Sequence, residues 1–158
     1  MMRKRIINQS SIGSFSTGRR LLDIERLAQV EITSEETGRP IESALIPGDG
    51  QGWQAGEAGE QMIRVLFDEP QALRRIHLVF HEDSRERTQE FVLRWSEDAG
   101  RSYREIVRQQ YTFSPPGATH EVEDYAVDLN GVTVLELKIV PDISGGDARA
   151  SLISLRLA

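Results

Sequence analysis

The stretch Phe91-Val-Leu-Arg-Trp-Ser-Glu-Asp-Ala-Gly-Arg-Ser-Tyr103 decides how this chain is read. Phe91, Leu93 and Trp95 alternate with Val92, Arg94 and Ser96, so an extended segment carries one apolar face and one mostly polar face, as a half-buried strand does. Asp98 follows, with a carboxylate able to accept from backbone N–H groups of its own turn, and Gly100 admits a positive φ without steric cost. The chain reverses there, and Tyr103 opens a second alternating segment. The unit predicts a β-hairpin with a capped loop and two aromatics anchoring its apolar face.

Outward from the hairpin, short strands and turns recur. Leu27 to Thr33 reads as a strand after a possible helical turn at 21–26, and Gly38-Arg39-Pro40 ends it. Residues 46–59 are too glycine-dense for a regular element. Strands are predicted at 62–67, 73–81, 122–129, 132–140 and 150–157, with a turn at Asp68-Glu69-Pro70 and a two-residue type I′ hairpin at Asn130-Gly131. The segment 103–110 forms the second arm of the central hairpin, and a proline-bearing loop covers 111–120. With no sustained helical period, the pattern predicts an all-β, antiparallel β-sandwich in a single domain over 21–158. Residues 1–20, rich in Ser, Gly and Arg, read as a tail or wrapping arm.

Composition narrows the function. At 158 residues one core is enough, and the absence of cysteine removes thiol nucleophiles and cysteine-ligated zinc. A formal net charge of −6 argues against nucleic acid as a partner, because phosphate binding is largely electrostatic. Arg3-Lys4-Arg5 is followed by only two apolar residues, short of the roughly 7–15 of a secretory signal. No apolar run approaches the ~20 residues of a membrane span, so a cytoplasmic location is the expectation. No Gly-x-Ser-x-Gly or His-Glu-x-x-His motif occurs, and the Gly-x-Gly-x-Gly run at 48–52 precedes a strand instead of opening a helix, so no enzyme is expected.

If each strand after Gln61 runs antiparallel to the one before, the turns at 68–72, 97–102 and 130–131 share one end. The loops at 45–60, 82–88, 111–120 and 141–148 then share the other, which becomes the candidate binding rim.

Four features carry a family resemblance: Asp49-Gly50 followed by Trp53; a strand ending at Phe67 with Ile76-His77-Leu78 after it; the Ser96-x-Asp98-x-Gly100-x-Ser102-Tyr103 hairpin; and Leu135-Glu-Leu-Lys-Ile139 before a glycine-rich loop and a last apolar strand. The hairpin spacing also resembles the Asp-box. Residues 27–157 thus resemble the galactose-binding-like jelly rolls, the discoidin or coagulation-factor type C modules and their bacterial carbohydrate-binding relatives. The resemblance implies a module that binds without catalysing, through loops at one end, its ligand a glycan, a lipid headgroup or a protein. A saccharide-binding module is the leading expectation. The alternative is a protein-interaction scaffold, since Trp53-x-Ala55-x-x-Ala58-Gly59-Glu60 resembles the N-terminal domain of the X-ray repair scaffold protein.

The candidate ligand-binding residues are Trp53, His81, Arg85, Arg87, His120 and Arg149. Trp53 has two open roles, a flat face for a sugar ring or a plug for the sandwich, whereas Trp95 is read as core. The cations and imidazoles can donate to hydroxyls and carboxylates. Relatives often hold calcium beside the Asp-Gly loop, and Asp49 matches that place. Their partner glutamate has no match in Ala150-Ser-Leu-Ile153, so neither metal nor cofactor is expected. His81-Glu82-Asp83 and His120-Glu121 remain a second conceivable metal or acid–base cluster.

Overall fold

The computed structural model describes residues 21–48 and 50–158; the predicted tail over 1–20 and Asp49 lie outside them. In chain order the elements are α1 (Ile24–Leu27), β1 (Ala28–Ile32), α2 (Glu42–Leu45), β2 (Trp53–Gln54), β3 (Gln61–His81), β4 (Arg87–Ser96), β5 (Arg104–Phe113), β6 (His120–Val140), β7 (Ser151–Leu152) and β8 (Ser154–Leu157). No described helix is long and apolar enough to cross a membrane.

The hairpin forms as its residues dictate. β4 and β5 pair antiparallel with Leu93 opposite Val107 and Trp95 opposite Arg104. Asp98 Oδ1 accepts from Ser102 N (2.9 Å) and its Oδ2 from Ser102 Oγ (2.6 Å). Ser96 Oγ accepts from the N–H groups of Asp98 and Gly100 and donates to Asp98 Oδ1, which makes Ser96 the hub of the loop. Gly100 takes φ +87°, and Ala99 shares the left-handed region at φ +61°. Tyr103 departs from expectation. It lies under the Arg94 guanidinium, 4.6 Å from ring centroid to Cζ, so of the two aromatics only Trp95 joins the core.

β3 and β6 overturn two expected turns. Each is 21 residues long, and they pair antiparallel from Gln61 opposite Ile139 to His81 opposite His120. Asp68-Glu69-Pro70 and Asn130-Gly131 therefore lie inside strands, and neither is a hairpin. The ladder is interrupted between Leu66 and Arg75, which is where Pro70, lacking an N–H, is tolerated. Gly131 does take a positive φ of +70°, but within a bulge. There both strands leave one layer and enter the other, the way strands turn the corner of a sandwich.

The larger layer runs β1, β3 (residues 61–66), β6 (132–140), β4, β5; the smaller runs β8, β3 (73–81), β6 (120–129). Phe80 and Phe91 belong to different layers and are not ladder partners, yet their ring centroids lie 5.2 Å apart, so the layers face each other. Between them Ile63, Val65, Leu93, Leu135, Leu137 and Ile139 meet Leu73, Ile76, Leu78, Phe80, Leu155 and Leu157, each no more than 1% exposed. Burying one such side chain contributes about 1.5–3 kcal/mol before chain entropy is counted. β5 runs three residues past its expected end at Gln110. The last strand splits around Ile153, whose N–H donates to Val79 O at 2.8 Å.

Candidate functional site

Four loops meet at one end of the sandwich. Gly59 N donates to Ala148 O (3.1 Å), Ile143 N to Thr88 O (2.9 Å) and Glu82 N to Thr119 O (2.8 Å). The grouping deduced from strand parity holds even though two of the assumed hairpins do not exist. Each bend in β3 and β6 crosses to the other layer and sends the chain back the way it came. At the far end, Ala99 N donates to Thr133 Oγ1 beside the bends.

The loop end holds a cleft of about 440 Å³. Arg39, Gln54 and Arg149 line one part of it, the 81–85 segment and Asp147 another, with Ser151 and Ile153. Glu82 shapes the 82–86 loop. Its Oε2 accepts from Ser84 N and Ser84 Oγ, and its Oε1 from Arg87 Nε at 2.7 Å. Burial pushes this carboxyl up, but the bonds from Arg87 and Ser84 outweigh it and hold the group below its ordinary value. Arg85 NH2 donates to Asp147 Oδ1 at 2.9 Å, and that bond holds Asp147 below the usual carboxylate range. His81 at the cleft meets His120 with ring centroids 4.4 Å apart and planes tilted by 46°, and Nδ1 of His81 lies 3.1 Å from Nε2 of His120.

A larger, more open hollow of about 560 Å³ lies along β1 and β3, lined by Glu31, Arg64 and Met62 among others. Its charged groups are occupied with one another. Arg64 Nε donates to the buried Glu136, which also accepts from Arg94, and Glu31 faces Arg64.

No protein-family model matches the chain, and no curated protein matches it. Solved structures do. The family 32 carbohydrate-binding module of NanJ from C. perfringens, in complex with galactose, superposes with a TM-score of 0.61 at 14% identity, covering 82% of this chain and 92% of that one. The chain has the galactose-binding-like fold. The family 32 module of AlyQ, in complex with 4,5-unsaturated mannuronic acid, gives a TM-score of 0.64 at 13% identity over 89% of this chain and 98% of that one. A pectin-binding carbohydrate-binding module gives 0.59 at 14% identity over 84% and 90%.

Within this galactose-binding-like sandwich the expected site residues divide. His81, Arg85 and Arg149 line the cleft and His120 flanks it. Trp53 does not: it is fully buried, its indole Nε1 donating to Ser34 O at 3.0 Å, so the plug is the role the structure gives it and sugar stacking is withdrawn. Arg87 is corrected likewise. At 3% exposure it ties loops together, NH1 donating to Pro141 O (2.7 Å) while Cζ stacks 4.8 Å from the Phe113 centroid. Asp49 lies outside the described residues. Among the described residues no group of three or more His, Asp or Glu side chains could hold a metal ion, which leaves His81, Asp83 and His120 as a contact pair with a neighbouring acid.

Sequence reasoning missed Arg39, Gln54, Asp147 and Ser151. Arg39 reaches the cleft because residues 36–39 turn back on themselves and Gln54 N donates to Arg39 O, a long-range pairing that no local motif announces.

Proposed function

We propose that the chain is a noncatalytic module that binds a saccharide in the loop-end cleft. The observation that carries this reading is the cleft itself, lined by polar side chains from separate loops of a rigid sandwich. The saccharides held by solved structures of the same fold support it.

A small sugar exchanges water hydrogen bonds for protein ones at little net gain, so binding is weak, about 10⁻⁵ to 10⁻³ M, or roughly −4 to −7 kcal/mol. The test is calorimetric titration of a broad glycan panel into the chain and its Arg149→Ala variant. At least one glycan binds the parent in that range and the variant more weakly. No heat with any glycan contradicts the reading.

A further inference from the structure

Resting on that reading, we infer that the ligand is an anionic saccharide whose acid group, a uronate carboxylate or a sulfate, is held in the cleft by the guanidinium groups of Arg39, Arg85 and Arg149. Neutral sugars gain much of their affinity from an aromatic platform. Among the described residues no Trp, Tyr or Phe lines the cleft, and Trp53, the one tryptophan in its loops, is buried. What the cleft presents is three guanidinium groups, planar forks that match carboxylate and sulfate oxygens.

Arg39 is the best prepared of the three. Its Nε donates to Gly52 O at 3.1 Å and its NH2 to Gln51 O at 2.6 Å, so neutral carbonyls hold it and no carboxylate among the described residues pairs with it. Its position is fixed by backbone. Gly52 sits at φ +88°, where a Cβ would fall 2.5 Å from Leu152 O, so the carbonyl that orients Arg39 is packed against the last strands. Two N–H donors are used there, and the rest of the five a guanidinium carries are left for a ligand.

Arg149 and Arg85 are readily redirected. Arg149 approaches Glu36 only at 3.7 Å, and Arg85 holds an Asp147 whose side chain is 86% exposed. Exposed pairs of this kind contribute little, so an incoming acid group displaces them at small cost. The acids of the cleft do not cancel this. Glu82 is bonded to Arg87 and Ser84, Asp147 is paired with Arg85, and Asp83, its side chain 75% exposed, lies 3.4 Å from His81 Nε2, so each already faces a partner.

The test titrates the full chain by calorimetry with oligogalacturonate, oligomannuronate, a sulfated galactan oligosaccharide, and neutral galactan and mannan oligosaccharides of matched length, in about 20 and about 200 mM salt. At least one acidic glycan binds roughly tenfold tighter than its neutral counterpart, the advantage shrinks in high salt, and Arg39→Gln abolishes it in a variant that still unfolds cooperatively. Carboxylate and sulfate arms separate the two sources of charge. Should Arg39→Gln fail to fold, Arg149→Gln and the parent's salt dependence decide. Neutral glycans binding as tightly as acidic ones overturn the inference and leave the proposed function standing. Binding of none overturns both.

Discussion

Replacing Trp53 by alanine empties the volume beneath the 50–60 loop and removes the partner of Ser34 O. A fully buried tryptophan lost in this way costs about 3–5 kcal/mol, whereas Trp53→Phe keeps most of the packing and loses one hydrogen bond, about 1–2 kcal/mol. Urea denaturation of the two variants checks the order. Asp98 acts at the opposite end from the cleft. Bonds from Ser102 and Ser96 hold its carboxyl far below the ordinary 3.8, so it contributes stability at neutral pH that is lost as pH falls below that value. Asp98→Ala therefore lowers the melting temperature and leaves glycan affinity unchanged. Glu121 titrates the other way. It is 1% exposed, accepts from Gln89 Nε2 at 3.0 Å and faces Glu123; burial, then that neighbour, push it up to about 8 from an ordinary 4.5. Across that interval the folded chain keeps a proton that the unfolded chain has released, so this group's contribution is full below about 4.5 and is lost as pH rises toward about 8. Glu121→Gln, neutral at every pH, flattens that slope, as denaturation at several pH values can show.

At the scale of elements, the bends of β3 and β6 set the architecture. A Cβ at Gly131 meets nothing within 4 Å, but φ is +70°, so a substitution there is opposed by backbone conformation alone. Gly131→Val costs about 1–2 kcal/mol, and Gly131→Asn, which tolerates the left-handed region, costs less; thermal melts of both variants test this. The same residue shows why the element was misread. Asn-Gly favours positive φ whether the chain makes a hairpin or a bulge, and what selects the bulge is β3, paired with β6 from more than fifty residues away. The 91–103 hairpin was legible because Ser96, Asp98, Gly100 and Ser102 settle it among themselves. In the site, membership of the rim followed from strand direction. The burial of Trp53 and Arg87 did not, since it depends on loops brought together only by the fold.

For the whole molecule, the bends place every long loop on one end and leave short turn chemistry on the other. The loops at the cleft are cross-tied by Arg87 to Pro141 O, Gly59 to Ala148 and Glu82 to Thr119, so the cleft is held in shape before any ligand arrives. A ligand that fits it needs little reorganisation of the backbone. The most direct measurement is the map of backbone amide chemical-shift changes when a glycan that binds by calorimetry is titrated into the isotope-labelled chain. Shifts confined to residues near Arg39, Gln54, 81–85 and 147–153 are expected. Shifts centred instead on 97–103 and 130–131, or along the β1 hollow around Met62, would contradict binding in the cleft.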